Sequence, residues 1–235
     1  MTTYTNSRGV ALERAYQHWR ERGALLKLPF PKHPEPPLTV AISRELGAGG
    51  SEISQAIAER MGWPLYDREL VSQISDDTGI RSQLLEKLDE KNPSWLAECL
   101  EGFSEERNIS GAGYAIRLRK ILLALYYHGD CVILGRGAAQ ILPPEKTLRV
   151  RLVAPLGTRI ERMSKILGSQ DDAVHMVTES DRDREAFVKR YFFKDPASSE
   201  CYDLTLDTSR FSQEACVDII ATAIEGHLAR QSAAS

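Results

Sequence analysis

The apolar positions of the chain fall into two alternating patterns. Leu38-Thr39-Val40-Ala41-Ile42 is a nearly unbroken apolar run, which predicts a strand buried on both faces of a parallel sheet. Residues 51–61 then place Ile53, Ile57, Ala58 and Met61 on one helical face. "WPLYD" predicts a short second strand ending at Asp67, and "RELVSQISDDTG" a helix. "SQLLEKLDEKNPSWLAECLEGF" has helical spacing broken at Pro93, and "ERNISGAG" reads as a loop. "YAIRLRKILLALYYHG" predicts a helix stopped by Gly129. "DCVILGRG" is a third strand and turn, and "LRVRLVA" a fourth strand followed by the helix "PLGTRIERMSKIL". "DAVHMVTESDRDREAFVKRYFF" reads as a charged helix, "YDLTLDTS" as a fifth strand and "SQEACVDIIATAIEGHLAR" as the closing helix. Strands alternating with helices predict an α/β fold with a parallel sheet wound by crossovers.

The start of the chain differs. Residues 9–21 carry Val10, Leu12, Ala15, Tyr16 and Trp19 at helical spacing, and "LPFPKHPEPP" follows with five prolines. Proline at that density excludes helix and favours an extended tether. The expected organisation is an N-terminal helix and Pro-rich tether over 1–37, then one domain over 38–235.

Composition narrows the classes. The chain has 235 residues, 42% hydrophobic and 27% charged, with a net charge of −3. A packed core is expected, and the bulk charge points to neither a nucleic-acid polymer nor a membrane surface. The start of the chain has no apolar signal core, so a cytoplasmic protein is expected. Cys99, Cys131, Cys201 and Cys216 lack metal-ligand or CxxC spacing, which favours reduced, packed thiols. The histidines form no catalytic constellation. Oligomeric state is not encoded in any pattern here.

Ligands of such sheets bind at the carboxyl ends of the strands. After the first strand stands "SRELGAGGS", Ser43 to Ser51. Its glycines let backbone N–H groups turn inward toward a phosphate, and the next helix adds its positive end. Against the P-loop pattern GxxxxGK[ST], Gly49 matches the second glycine and Ser51 the magnesium-holding hydroxyl. Arg44 occupies the first glycine's place and Gly50 the lysine's. Asp67 follows the second strand, and Arg136 lies between two glycines after the third. Arg182, Arg184, Lys189 and Arg190 stand close together among Asp181, Asp183 and Glu185. That alternation suits either a solvated helix or a mobile lid whose arginines close over a transferring phosphoryl group.

This constellation resembles the cytidylate kinase-like proteins, relatives of the nucleoside monophosphate kinases, from about Leu38 to Arg230. The matching stretches are "ISRELGAGG.EI...IAERMGWPLYDRELV", "GDCVILGRGA", "LRVRLVAPLGTRIERM", "SDRDREAFVKRYFF" and "YDLTLDTSRFSQEA". The resemblance implies a P-loop nucleoside-triphosphate hydrolase-type three-layer fold: a five-stranded parallel sheet with a helical insert (about 68–128) and a lid (about 171–198). It implies ATP and Mg2+ as cofactors, with Gly47, Ala48, Gly49, Gly50 and Ser51 on the phosphates and Ser51 on the metal. Asp67 and Arg136 are similar in place to acceptor-holding residues, and Arg182, Arg184 and Arg190 to lid arginines. Asp207-Thr208-Ser209 is similar to the family's Asp-Ser-Thr. Cytidylate kinases proper have lysine and threonine in the loop and an aspartate where Gly137 stands. The cytidylate kinase-like branch commonly carries "SRE.G.GG", as here. The expected function is ATP-dependent phosphoryl transfer to a nucleoside monophosphate, CMP or dCMP above others, with Arg44 supplying the lysine's charge and Ser51 or Ser43 meeting the metal. A non-catalytic nucleotide-binding or regulatory module, or a kinase for a different small acceptor, remains the alternative. Glu52 near the metal position and the missing lysine motivate it.

Overall fold

A computed structural model of the chain describes residues 38–67, Val71 and 111–233. The expected N-terminal helix, the proline tether and most of the helical insert lie outside the described residues.

The first strand, β1 (Thr39–Arg44), leads into α1 (Gly50–Met61) and the short β2 (Leu65–Tyr66). Then come α2 (Gly111–His128), β3 (Cys131–Leu134), the single-turn α3 (Ala138–Ile141), β4 (Thr147–Val153), α4 (Leu156–Leu167), α5 (Gln170–Phe192), β5 (Leu204–Asp207) and α6 (Gln213–Ala233). The five strands form one sheet in the order β2-β3-β1-β4-β5, and every pairing is parallel. β1 is therefore central, with its carboxyl end between those of β3 and β4.

The apolar run of β1 is explained by burial on both faces. Val40 and Ile42 face Ile53, Ile57, Ile220 and Ile224 of α1 and α6. Ala41 faces the opposite cluster, where Leu118, Leu122 and Leu125 of α2 pack with Tyr66 and Ile133. Helices thus cover both faces, and three layers result. A third, small cluster of Met163, Ala173 and Val177 joins α4 to α5.

Two local expectations are corrected. Gly111–Gly113, read as part of a loop, open α2. Glycine disfavours helix by only about 1 kcal/mol per residue, and the buried stretch Leu118–Tyr126 outweighs that. α5 begins at Gln170, because the Ser169 hydroxyl caps it by accepting the Asp172 N–H at 3.3 Å.

Candidate functional site

The loop between β1 and α1 turns sharply at two glycines, Gly47 (φ 81°) and Gly49 (φ 71°). Both angles lie in the left-handed region that other residues enter only under strain. At Gly47 the space is closed as well, since a Cβ there would stand 2.6 Å from the Arg159 carbonyl oxygen. Gly49 is also the N-cap of α1, so the free N–H groups of a three-turn helix point out of the loop, as an anion requires.

Arginines of α4 and α5 hold the loop. Arg184 of α5 donates to the Arg44 carbonyl at 3.1 Å. Arg159 and Arg162 of α4 donate to the carbonyls of Leu46 and Gly47, each at 3.3 Å. These carbonyls are thereby satisfied by guanidinium donors, and the loop itself is tightened by the Ala48 N–H donating to the Glu45 carbonyl at 3.2 Å. Arg159 is only 6% exposed. Its guanidinium also donates to the Ala154 carbonyl at 3.0 Å and to Asp181 at 2.6 Å, and lies 3.3 Å from Glu45. Glu45 additionally faces Arg151 at 3.4 Å. Arg162 donates to both the hydroxyl and the carbonyl of Thr208, at 3.1 and 2.8 Å, and so links the loop to the end of β5. There the Ser209 hydroxyl and N–H both donate to Asp207, at 2.7 and 2.9 Å, and hold that carboxyl below the usual range.

Two cavities open at the carboxyl ends of the strands. The first, about 580 Å³, is lined by the loop from Arg44 to Ile53 and by Arg162, Ile166, Thr208 and Phe211. The second, about 730 Å³, is lined by Ser43, Gly135 to Gln140, Arg151, Phe187 and the inward face of α5. Arg44, Glu45 and Arg184 line both. The floor of the second is braced by Tyr202, whose hydroxyl accepts from Gln140 at 2.7 Å and donates to the Pro196 carbonyl at 2.8 Å. Burial raises the pKa of that phenol.

The sequence-derived candidates divide accordingly. Gly47, Ala48, Gly49, Gly50 and Ser51 line the first cavity, Arg136 the second, and Arg44 and Arg184 both. The edge strand β2 ends at Tyr66, one residue short of the expected end, and Asp67 just after it lines neither. Arg182 and Arg190 also line neither; Arg182 is paired at 3.8 Å with Glu179 with its side chain 76% exposed, and Arg190 lies over the Tyr191 ring. The helical period explains this: two or six residues from Arg184, a side chain points to another flank of α5. Arg151, Arg159 and Arg162 were missed. The arginines of "TRIERM", three apart directly after a strand, were the available signal. No cluster of three or more His, Cys, Asp or Glu side chains placed to hold a metal ion occurs among the described residues.

A glycine loop joining the central strand of a parallel sheet to its helix, with arginines converging on it, defines a P-loop kinase-type fold. The chain belongs to the cytidylate kinase-like family, which it matches over residues 39–210. It is 26% identical over 196 residues to a cytidylate kinase of Methanopyrus kandleri, covering 79% of this chain and 92% of that one. It is 26% identical over 195 residues to a cytidylate kinase of Pyrococcus horikoshii, covering 82% and 91%. The solved structure of an uncharacterized protein from Eubacterium ventriosum shares the fold, with a TM-score of 0.60 and 21% identity, covering 80% of this chain and 98% of that one.

Proposed function

We propose that the protein transfers the γ-phosphoryl group of ATP to a nucleoside monophosphate, CMP or dCMP foremost. The observation that carries this reading is the junction of the two cavities at Arg44 and Arg184. A donor held in one and an acceptor held in the other would meet there. The relatives named cytidylate kinase support the choice of acceptor.

The residues fit the groups the reading requires. The loop residues Gly47–Ser51 and the amino-terminal end of α1 line the first cavity together with Arg162 and suit the triphosphate. Mg2+ carried by the nucleotide would meet the Ser51 hydroxyl and neutralise charge on the phosphates. Arg136 would hold the acceptor phosphate. Asp67, Arg182 and Arg190 belong to the acceptor side and the lid in this reading, and the two arginines would act only if α5 turned toward the site. In the transfer an acceptor phosphate oxygen bonds to the γ-phosphorus while the β–γ bridging bond breaks, and ADP leaves. The protein's part is to align the two and surround the equatorial oxygens with guanidinium groups. The domain division at residue 37, with an insert at about 68–128 and a lid at about 171–198, is part of the same proposal.

A second reading rests on Gly50 in the lysine's place and on the Glu52 carboxylate in the first cavity: a nucleotide-binding module without turnover. An ADP-release assay across CMP, dCMP, UMP and AMP separates the two. Release with CMP or dCMP is expected. Measurable ATP binding with no release for any acceptor would refute the kinase reading and leave the module.

A further inference from the structure

The glycine in the lysine position is there for a steric reason. A Cβ at Gly50 would stand 2.5 Å from Cγ and 2.7 Å from Cβ of Arg44. Those are stem atoms: Cβ is fixed by the backbone of β1 and Cγ is one bond further on, so a clash there cannot be relieved as it can at the tip of a flexible chain. The Arg44 side chain therefore runs across the face of residue 50. Its guanidinium then reaches β3, where Gly135 is also a glycine (φ 80°) and a Cβ would overlap the Arg44 Nη1. β1 and β3 are hydrogen-bonded neighbours, and the Gly135 N–H extends their ladder to the Ile42 carbonyl at 2.8 Å. Two glycines, one at the head of α1 and one just after β3, thus form one slot, and Arg44 fills it from end to end. The slot leads from the first cavity to the second.

We infer that Gly50, Gly135 and Arg44 are a single unit in which the phosphate-binding cation has been moved from the head of α1 to the end of β1. Arg44 is the catalytic cation of the transfer, and Gly50 and Gly135 are positioning residues that keep its path open. This rests on the phosphoryl-transfer reading. Three physical consequences follow. A lysine added at 50 displaces Arg44 rather than joining it, so the two positions cannot both carry a long cation. The guanidinium lies between donor and acceptor, where an ammonium rising from α1 would remain on the donor side. Its five-donor fork can contact oxygens of both phosphoryl groups. Arg184, bonded to the Arg44 carbonyl, fixes the base of the slot from α5.

The test is a cycle of substitutions at 44 and 50 in the full chain, with turnover read by ADP release and ATP·Mg binding read by calorimetry. Arg44→Ala should lower kcat by about 10³-fold or more, the scale credited to an arginine finger, with a much smaller change in KM for the acceptor. Millimolar guanidinium should restore part of that loss. Gly50→Ala should lower kcat at least tenfold although it removes no charge, and Gly50→Lys should do the same. Arg44→Ala combined with Gly50→Lys should exceed Arg44→Ala alone by tenfold or more, because the clash is gone and a cation is back. Thermal unfolding of each variant, and Arg44→Met as a length-preserving neutral form, separate catalysis from folding. Arg44→Ala or Gly50→Ala within threefold of the parent, or Gly50→Lys at least as active as the parent, would overturn the inference. So would a double variant no better than Arg44→Ala. If no acceptor is turned over, the kinase reading fails alone provided ATP affinity still falls in Arg44→Ala and Gly50→Ala. If neither change alters ATP affinity in that case, the slot assignment fails with it.

Discussion

Arg159 offers a sharp test of how the loop is held. Replacing it with methionine keeps most of the stem volume and deletes the guanidinium. The lost contacts are bonds to the Leu46 and Ala154 carbonyls at 3.3 and 3.0 Å, the Asp181 pair at 2.6 Å and the Glu45 contact at 3.3 Å. Removing one partner of a buried ion pair costs about 3–5 kcal/mol. Asp181 and Glu45 are 33% and 26% exposed and regain some hydration, so about 2–3 kcal/mol is expected. For a domain of this size each kcal/mol lowers Tm by about 2–4 °C, giving a fall of about 4–12 °C. Thermal unfolding monitored by circular dichroism measures the fall in Tm, and urea unfolding the free energy. A double-mutant cycle with Asp181→Asn should show coupling of at least about 1 kcal/mol. Because the Leu46 carbonyl is released as well, KM for ATP should rise more than kcat falls. A loss of stability under 1 kcal/mol, or no coupling to Asp181, would refute the account of Arg159 as the clamp between loop and α5.

Two further outcomes are expected. Arg184→Ala should reduce kcat by tenfold or more, whereas Arg182→Ala should change it by less than threefold in the same assay, since only Arg184 lines the cavities; equal effects would show that α5 turns in the closed state. Tyr126 of α2 is pushed up to about 12 by burial first, then by Glu145 and Tyr127. Its phenol stays neutral in the folded chain after the unfolded chain has ionised near pH 10. Stability should therefore fall as pH rises from about 10 to about 12, and Tyr126→Phe should flatten that slope in pH-dependent thermal unfolding; an unchanged slope would exclude Tyr126 as its source.

Much of the architecture was legible because its signals are local. The double-sided burial of β1 is written in Val40–Ile42, and the loop in its glycines. Arg44 was legible as a candidate from spacing alone, but not the route of its side chain. That route depends on Gly135, which lies 91 positions after Arg44 in the sequence. Arg159 and Arg162 were overlooked because their partners, Leu46 and Gly47, come from a loop more than 100 positions earlier. The phase of α5 was the hardest to read. Its charges run around the whole helix while Val174 and Met176 are exposed, so no apolar stripe announces which arginine faces inward.

The fold is also unequal in its resistance to opening. The sheet is gripped by two extensive apolar clusters, whereas α5 is joined to α4 by three buried apolar residues, Met163, Ala173 and Val177, with Leu46 and Ile160 at the margin. The carboxyl-terminal part of α5 is held differently, by Phe187 and Phe192 packed against the larger cluster, and polar bonds from Arg159 to Asp181 and from Arg184 to the Arg44 carbonyl add to the attachment. Amide protons of the first turns of α5, where Ala173 and Val177 are the buried apolar residues, therefore belong to a cooperative unit of lower opening free energy than those of β1 or β3. The sheet core thus holds the glycine loop, while the more easily opened start of α5 leads to Asp181 and Arg184, the two side chains by which this helix reaches that loop and its clamp.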